Sequence, residues 1–590
     1  MIGFLLHIDS TSKNPIKMQS EDLDLIRTTT HIQDNSLFLF KNSVASSVEL
    51  EGYSLYVVGT LIYKKNWNTK ALELIAHDFA NGMTTETVAL NARGQYCLII
   101  YRQGKVTIIT DKLASFPIYK YEKGNTVKIS NIFPLLAEKN NVTFNFYALA
   151  EFISHLDGFS FDSTFFKEIE HLDGGTIYEF GDQATSKCYY DVLKGIEFDK
   201  YRDLDSTSNE IKEMLIENLS FFRPKDRIFA DLTGGFDSRV VVTILKANGT
   251  VFDAGICGDQ TPHESQIARN VAYKMNVKFR EDFRIDSYEK FKHTLELHHK
   301  ISNGIPELYH STELINYYTD IKKHYDMHIT GFGGTELFTL DQQVVRLFTD
   351  TNGEIDIDSY LRTCLKHIDV LKDEYMEEMS YYNILRLKLA EVVEKLKCRD
   401  SRFILTPITL SSYSRFFHGS LIGTHNCIVP HYSPYLEANI AKKIMEVSPF
   451  FKYAHAIQKN ILSNINPEVA ALITTHGYAA NDSSRNILNS LKSYAKKILK
   501  IIANKNNLLK NYMYFLRNYI KNKLKSKVQD RDRLYWVKEM KGDYSDTMPI
   551  FELINKNKYK SAMRCHKHKN RFMARVVYLN KLMEKCNPKQ

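Results

Sequence analysis

The stretch between residues 228 and 245 constrains the fold more than any other part of this sequence. Residues 228–232 (IFADL) form an apolar run of strand length, residues 233–239 (TGGFDSR) a glycine-containing turn, and residues 240–245 (VVVTIL) an apolar helical pattern. A strand that passes through a glycine turn into a helix is typical of a parallel sheet wrapped by helices. The sequence therefore predicts an α/β fold for the region from about residue 200 to 480.

The residues that follow repeat this alternation of strand and helix. A break at residues 248–249 (NG) precedes a second strand-like run at 251–256 (VFDAGI). Beyond it, Ile267, Val271 and Met275 recur every four residues, which places one apolar stripe against the predicted sheet.

The first 190 residues consist of short alternating apolar runs instead. Residues 97–101 (CLIIY) and 106–110 (VTIIT) are joined by residues 102–105 (RQGK), whose glycine supplies the positive φ that a tight reversal needs. We expect an antiparallel hairpin inside a sheet-rich first domain.

Length and composition allow more than one hydrophobic core. The 590 residues, 44% of them hydrophobic, divide into predicted domains at 1–190, 200–480 and 481–590. The eight cysteines include no Cys-x-x-Cys pair, which indicates reduced thiols in a cytoplasmic protein. We expect no signal peptide, because Asp9 interrupts the first apolar run before it is long enough for export. We also expect no membrane-spanning helix.

The glycine turn carries the clearest chemical signal. Two adjacent glycines let a polyanion approach the backbone, and the next helix offers unpaired N–H groups and the positive end of its dipole. A pyrophosphate fits this turn, with Thr233 and Ser238 as hydroxyl donors and Asp237 as a Mg²⁺ ligand. Arg239 would either counter charge or face solvent. The alternative is a plain strand-to-helix turn in which Asp237 and Ser238 cap the helix.

Four stretches resemble one known family. Residues 232–239 (LTGGFDSR) are similar to the Ser-Gly-Gly-x-Asp-Ser loop of the PP-loop ATP pyrophosphatases, in the asparagine synthetase branch. Residues 253–256 (DAGI) with 264–268 (ESQIA) resemble its second strand and acidic helix start, and residues 330–338 (TGFGGTELF) its Ser-Gly-acid-Gly-Gly-Asp-Glu-Leu-Phe loop. Residues 110–119 (TDKLASFPIY) resemble a turn of its amidotransferase-like first domain.

The resemblance implies both a fold and a chemistry. The fold is an N-terminal Ntn-type antiparallel α/β/β/α sandwich, a PP-loop parallel α/β synthetase domain and a helical C-terminal extension. The chemistry uses ATP and Mg²⁺ to convert a substrate carboxylate into its adenylate, which ammonia or an amine then captures. The residues implied in binding nucleotide and pyrophosphate are Leu232, Thr233, Gly234, Gly235, Phe236, Asp237, Ser238, Ala254, Thr330 and Gly331.

The residues implied in catalysis are Asp237, which also holds the metal, and Arg239, Glu336 and Lys459. For Lys459 the alternative is a solvated helical lysine. We interpret His425, His431, His455 and His476 as surface or partly buried side chains, because their spacing is too wide and irregular for a metal site.

Two departures from the family pattern affect the predicted activity. Ile2 stands where glutamine-hydrolysing members have a nucleophilic cysteine, and residues 58–59 (VG) replace their Asn-Gly oxyanion pair. We therefore predict no glutamine hydrolysis, with Cys97 as a core thiol. In the later loop, Phe332 replaces an acid and Thr335 replaces the second metal-binding aspartate, which leaves Glu336.

The C-terminal region departs from the family. Every charged residue between 485 and 527 is basic, with apolar residues interleaved at helical spacing. This pattern is typical of a segment that contacts an anionic membrane surface or a polyanion, and equally of helices that pack on the synthetase domain with lysines in water. A last docking helix is expected at 571–583.

Three functions remain open from the sequence. The first is an ATP-dependent amide ligase whose nitrogen comes from free ammonia, from an amine substrate or from a separate glutaminase. The second is a non-catalytic nucleotide-binding scaffold, favoured by Phe332 and Thr335. The third is a PP-loop enzyme that acts on RNA, against which the amidotransferase-like first domain argues.

Overall fold

The computed structural model describes residues 3–9, 30–32, 35–39, 46–50, 52–102, 104–138, 140–154, 164–181, 183–257, 262–281, 285, 287–305, 308–339, 355–358, 361, 370–375, 381–396, 401–481, 486, 488–489, 492, 495, 549–565 and 569–586. The basic segment at 485–527 therefore lies almost entirely outside the described residues, as does Ile2.

The strands are β1 (Phe4–Asp9), β2 (Thr30–Ile32), β3 (Asn35–Leu39), β4 (Ser46–Leu50), β5 (Tyr53–Tyr63), β6 (Asn66–Trp67), β7 (Arg93–Arg102), β8 (Lys105–Thr110), β9 (Tyr119–Lys123), β10 (Thr126–Ser130), β11 (Ile169–His171), β12 (Thr176–Phe180), β13 (Thr185–Cys188), β14 (Ile228–Asp231), β15 (Phe252–Gly255), β16 (Phe279–Arg280), β17 (Met327–Ile329) and β18 (His431–Tyr432).

The α-helices are α1 (Thr69–Ala80), α2 (Thr85–Asn91), α3 (Phe133–Glu138), α4 (Phe146–Ser154), α5 (Leu204–Asn218), α6 (Asp237–Ala247), α7 (Pro262–Lys274), α8 (Tyr288–Ile301), α9 (Leu308–His324), α10 (Gly334–Phe338), α11 (Tyr381–Leu396), α12 (Ser401–Thr409), α13 (Gly419–Asn426), α14 (Ala438–Glu446), α15 (Ala456–Ile465), α16 (Pro467–Ala470), α17 (Lys556–Cys565) and α18 (Lys569–Cys586). A π-helical stretch at Leu410–His418 joins α12 to α13, and short 3₁₀ turns lie at Asp373–Tyr375, Pro434–Leu436, Pro449–Lys452 and Pro549–Glu552.

The N-terminal part is a sandwich of two antiparallel sheets with helices on both outer faces. One sheet has the order β11-β9-β10-β1-β3-β2, and the other β13-β12-β8-β7-β5-β4 with β6 beside β5. Alternate side chains of β1 show the layers, because Phe4 and Leu6 face the second sheet while Leu5 faces α3 and α4. The helix-sheet-sheet-helix order and the β7–β8 hairpin agree with the sequence prediction.

The second part is a parallel sheet with helices on both faces. Its strand order is β16-β15-β14-β17-β18, and all four neighbouring pairs are parallel. Ile228 and Ala230 of β14 face one core, whereas Phe229 faces the other. The predicted stripe of Ile267, Val271 and Met275 on α7 is buried.

Buried polar contacts join the two parts. The Gln95 amide donates to the carbonyls of Ser433 and Leu436 at 3.2 and 3.3 Å, and its oxygen accepts the Ser433 N–H at 2.9 Å. The Thr60 hydroxyl donates to the His431 carbonyl at 2.9 Å. Because these groups are shielded from water, separating the two parts would leave them unsatisfied.

The last helix belongs to the core of the molecule. α18 packs against α3 and α4 of the sandwich and against α8 and α9 of the parallel-sheet part. The Arg575 guanidinium donates to the Phe152 carbonyl, and the Tyr578 hydroxyl donates to the Ser302 carbonyl at 2.7 Å. The docking helix expected at 571–583 is thus confirmed, but it is an integral element and not part of a separate extension.

None of the helices in the described part of the chain combines the length and apolar character needed to cross a lipid bilayer.

We predict that Gly304→Ala strongly destabilises the fold. Gly304 has a φ of +80°, and a Cβ there would overlap the Tyr578 ring. Left-handed strain and overpacking together should cost about 3 kcal/mol of unfolding free energy. Urea denaturation followed by circular dichroism measures this.

The matched control is Gly82→Ala, because Gly82 has a φ of +83° with nothing within 4 Å of the added Cβ. It isolates the backbone strain, at about 1 kcal/mol. Equal losses in the two variants would show that α18 does not dock at Gly304.

Candidate functional site

The topology of the parallel sheet singles out one edge. The chain runs from β14 outward to β15 and β16, then returns to the other side of β14 as β17. In open parallel sheets, ligands bind beyond the carboxyl ends of the strands where the order reverses. Here that point lies between the segment after β14 and the segment after β17, which are the two glycine-containing motifs.

The first motif forms a tight loop held by its own hydroxyls. The Thr233 N–H donates to Ser238 Oγ at 2.9 Å, and the two hydroxyl oxygens are 3.0 Å apart. The Gly235 N–H approaches Thr233 Oγ1 at 3.3 Å. The first bond of α6 runs from Val240 N–H to Phe236 O, so the N–H groups of residues 237–239 have no partner within the helix.

Asp237 connects the first motif to the second. Its Oδ2 accepts the Thr335 N–H at 3.0 Å and the Thr335 hydroxyl at 2.6 Å, and its Oδ1 accepts the Gln458 amide. A Cβ on Gly334 would come within 2.6 Å of the Asp237 Cγ, and one on Gly331 within 2.9 Å of the Ser238 nitrogen. Both glycines are therefore required for this close approach.

Two partly buried carboxyl groups share the site. Burial raises the pKa of Asp237 to about 7; hydrogen bonds from Thr335 oppose this rise and the charge of Glu336 adds to it. Burial likewise raises the pKa of Glu336 to about 7. Glu336 Oε2 lies 3.6 Å from His418 Nε2, and burial lowers the pKa of that imidazole to about 3. An incoming cation would therefore displace protons from this edge.

A turn at residues 472–475 and the start of α7 cover the glycine loop. The Thr475 N–H donates to the Gly234 carbonyl at 3.0 Å, and the Gly234 N–H lies 3.4 Å from Glu264 Oε1. An anion that binds the Gly234 N–H would therefore compete with the Glu264 carboxylate for this donor.

Rings pack around Phe236 on the other side of the loop. Its ring centroid lies 4.9 Å from His455, 5.7 Å from His476 and 5.7 Å from Tyr478. The Lys459 ammonium sits 5.8 Å from the centroid of the Tyr478 ring, and that ring in turn packs against Phe236 of the glycine loop. Lys459 is half-buried. Its exposure lies between that expected of a solvated helical lysine and that expected of a lysine inside a binding site.

Arg239 does not face solvent, which corrects that alternative. Its side chain is fully buried, and its guanidinium donates to the carbonyls of Leu472 and Ile473 at 2.6 and 3.0 Å. Burial lowers its pKa to about 10. The arginine holds the covering turn in place, and this geometry does not support a catalytic role.

Three other predicted binding residues reach the edge mainly through their backbone. The side chains of Leu232 and Ala254 are completely buried, and the Leu232 N–H donates to the Gly255 carbonyl at 2.7 Å. Thr330 is also buried, with its hydroxyl 3.0 Å from His431 Nε2.

Sequence reasoning missed two groups of residues. Gln458 binds Asp237, yet it lies 221 positions along the chain, and no sequence signal marks it. The prediction of surface or partly buried histidines was wrong for His425, His431 and His455, which are buried. Their spacing in sequence misled because the fold places His425 and His431 with ring centroids 5.6 Å apart.

The residues present fit a single Mg²⁺ held mainly by phosphate and water. Asp237 Oδ2 already takes two donors, whereas Oδ1 takes one and keeps a lone pair. Mg²⁺ commonly uses only one or two carboxylates together with water and substrate phosphates. Within the described residues no cluster of three or more His, Cys, Asp or Glu side chains suits a metal.

Cys97 and Gly59 are the described residues of the sandwich on which the glutamine-site predictions rest. Cys97 is fully buried in β7, and burial raises the pKa of its thiol, which confirms the predicted core thiol. Gly59 has a φ of +91° and packs directly on the Gln95 carbonyl. Ile2 lies outside the described residues.

The fold and the site define a two-part α/β protein with a glycine loop at a switch point. No family model matches the chain, and no curated protein matches it. Among solved structures, one described as the allosteric regulatory enzyme of purine biosynthesis is similar at 9% identity and a TM-score of 0.19, over 44% of this chain and 60% of that chain.

A second is glutamine phosphoribosylpyrophosphate amidotransferase from B. subtilis complexed with ADP and GMP, at 9% identity and a TM-score of 0.20, over 48% of this chain and 88% of that chain. Likenesses of this size assign neither a family nor an activity.

We predict that Gly334→Ala destabilises the site whereas Gly235→Ala does not. The Gly334 Cβ would clash with Asp237, while the Gly235 Cβ would meet only Thr233 Oγ1 at 3.6 Å. Overpacking should cost about 1–3 kcal/mol in the first variant. Thermal and urea unfolding of both variants measure the difference, and equal stability would contradict the Asp237–Gly334 contact.

We predict a pH-dependent gain of stability for Glu336→Gln. The pKa of Glu336 is raised from 4.5 to about 7, so its stabilising contribution is full below pH 4.5 and is lost as the pH rises through about 7. Relative to wild type, the variant should gain up to about 3 kcal/mol between about pH 5 and pH 8. Unfolding midpoints across this range test it.

The control for this pH series is Glu86→Gln, because Glu86 is an exposed partner of Lys187. A pH-independent difference for Glu336→Gln would show that Glu336 ionises freely in the folded state.

Proposed function

We propose that this protein is an ATP-dependent amide-forming ligase that adenylates a carboxylate and has no glutaminase activity of its own. One observation carries the proposal. The two glycine motifs, about 100 residues apart in sequence, meet at the switch point, where Asp237 of the first is held by Thr335 of the second. Nothing in a plain strand-to-helix turn requires that junction.

The phosphate end of ATP is assigned to the loop of residues 233–238. The N–H groups at the start of α6 and the helix dipole favour an anion there. Asp237 would hold Mg²⁺, which supplies charge neutralisation for the phosphates when bound. Lys459, which the Tyr478 ring separates from Phe236 of the loop, would add a second positive charge.

The reaction has two balanced steps. A carboxylate oxygen of the substrate attacks the α-phosphorus, the bond to the bridging oxygen breaks, and pyrophosphate leaves with its electron pair. Ammonia or an amine then attacks the acyl carbon of the adenylate, AMP leaves, and the nitrogen loses one proton. The protein contributes alignment, charge neutralisation and exclusion of water.

A non-catalytic nucleotide-binding scaffold is the second candidate. It is favoured by Thr335, because the hydroxyl and the N–H of Thr335 both donate to Asp237 Oδ2. The family that this sequence resembles has a second aspartate at the position of Thr335. The two candidates differ in turnover, because both bind nucleotide but only the ligase releases pyrophosphate.

We predict that Asp237→Ala lowers carboxylate-dependent pyrophosphate release by at least about 100-fold and weakens Mg·ATP binding. A coupled pyrophosphate assay and isothermal titration calorimetry measure the two effects. Asp326→Ala is the matched control, since Asp326 pairs with Arg227 at the opposite edge of the same sheet. Undiminished release in Asp237→Ala would refute the assignment, and ATP binding without release in wild type would favour the scaffold.

We predict that the purified protein releases no ammonia from glutamine, because Ile2 offers no nucleophile and Cys97 is buried. A glutamate dehydrogenase-coupled assay detects ammonia, with free ammonium as the positive control. Release at an enzymatic rate would contradict the proposed dependence on ammonia, an amine substrate or a separate glutaminase.

A further inference from the structure

A cavity of about 580 Å³ lies at the end of the parallel sheet opposite the glycine loop. Ile228 and Phe252, the first residues of β14 and β15, form part of its wall, whereas the glycine loop follows the carboxyl end of β14. Pockets that bind small molecules usually have volumes of roughly 300–1,000 Å³. The cavity is therefore large enough for a ligand of its own, separate from the candidate ATP site.

Four cationic side chains from two distant segments converge on this cavity. Lys225 and Arg227 precede β14, and Lys278 and Arg280 come from the residue before β16 and from β16 itself. Tertiary structure thus brings these charges to one concave surface. Cations gathered in a cleft raise the local concentration of anions.

Two of these cations have carboxylate partners that a ligand can replace. Arg227 Nη2 lies 2.5 Å from Asp326 Oδ1, and Lys278 Nζ lies 3.4 Å from Asp253 Oδ2. The side chains of Arg227 and Lys278 are 60% and 73% exposed, and exposed pairs of this kind contribute only up to about 1 kcal/mol each. A ligand with two negative charges can therefore displace a single carboxylate from them at small cost.

Asp226, the other aspartate in the lining, is already neutralised. It is buried, the Arg223 guanidinium donates to its Oδ1 at 3.1 Å, and Trp67 Nε1 donates to its Oδ2 at 3.0 Å. Arg280 is likewise engaged, with its Nη2 at 2.9 Å from Asp320 Oδ2. Asp226 therefore adds little repulsion to an anion in the cavity, and Arg280 is less available than the other cations.

An aromatic ring and an exposed aliphatic side chain form the apolar part of the wall. The Tyr325 ring packs against Phe229 with centroids 4.9 Å apart, and its hydroxyl donates to Asp253 at 2.6 Å. These two contacts fix the ring in place. Val251 also lines the cavity and is 78% exposed. An organic group that covers these side chains gains roughly 25 cal/mol for each Å² removed from water.

We propose that this cavity binds a phosphate monoester of a small organic molecule, with its phosphate held by Lys225, Arg227 and Lys278 and its organic part against Val251 and Tyr325. A phosphate monoester carries close to two negative charges and three acceptor oxygens, so it satisfies several cations at once. The proposal goes beyond the ligase function and does not depend on it.

Isothermal titration calorimetry with phenyl phosphate as the probe tests the proposal. The titrations use about 0.15 M salt, which screens nonspecific attraction between exposed charges. Phenyl phosphate should bind at least about tenfold more tightly than succinate, whose two charges lie on separate groups, and than inorganic phosphate, which lacks a ring. Absence of phenyl phosphate binding, or equal affinity for succinate, overturns the proposal, and equal affinity for inorganic phosphate overturns the assigned organic part.

Lysine variants locate the bound phosphate. Lys225→Ala and Lys278→Ala should each weaken phenyl phosphate binding about tenfold, because each removes one charge-assisted hydrogen bond. Lys187→Ala is the matched control, since Lys187 is 65% exposed and pairs with one carboxylate, Glu86, on the sandwich. Equal weakening in the control, or unchanged binding in both cavity variants, places the probe elsewhere and overturns the proposal.

A variant at Val251 locates the organic part. Val251→Ser should weaken phenyl phosphate about threefold and leave inorganic phosphate unchanged, because it removes apolar surface but no charge. The exposure of Val251 makes the variant a mild one for folding, which thermal unfolding checks. An equal effect on both probes contradicts the placement of the ring against Val251.

Discussion

The junction at Asp237 is the interaction on which the candidate site depends. One carboxylate at the first residue of α6 takes hydrogen bonds from Thr335 on α10, which follows β17, and from Gln458 on α15. Three segments that are distant in sequence are thereby fixed around one group, and only glycine at position 334 leaves room for it. The same bonds limit how many oxygens of Asp237 remain for a cation, so structural support and metal binding compete at this residue.

The antiparallel sandwich supports this edge from outside. Gln95 and Thr60 hydrogen-bond to the backbone around β18, and β18 lies next to β17, which leads into the second glycine motif. The sandwich thus positions the edge of the parallel sheet that carries the second glycine motif.

Local patterns predicted the fold well. The run at 228–232 and the stripe on α7 depend on residues close in sequence, and both appear in the structure. The turn predicted at 233–239 is shorter in the structure, because α6 already begins at Asp237. The site was predictable only where its residues fall inside a contiguous motif. Gln458 and the buried imidazoles of His425 and His431 come from other segments and meet through tertiary packing, which leaves no periodic or spacing signal.

Arg239 lies inside a contiguous motif, yet the sequence did not predict the direction of its side chain. Its position after Ser238 suggested a group facing phosphate or water, but helix geometry turns it inward to hold the carbonyls of residues 472 and 473. Sequence position fixes the order of residues along a helix, whereas the direction of each side chain depends on where the helix lies in the fold. Residues that share a motif can therefore divide between ligand-facing and structural roles.

The docking of α18 affects how the chain folds during synthesis. Residues 569–586 fill a groove whose walls, α3, α4, α8 and α9, are translated several hundred residues earlier. Until this helix emerges from the ribosome, Phe152, Ser302 and the surfaces around them stay exposed to water and to other chains. Incomplete translation products would therefore carry an uncovered apolar groove, which is the feature that chaperones and proteases recognise.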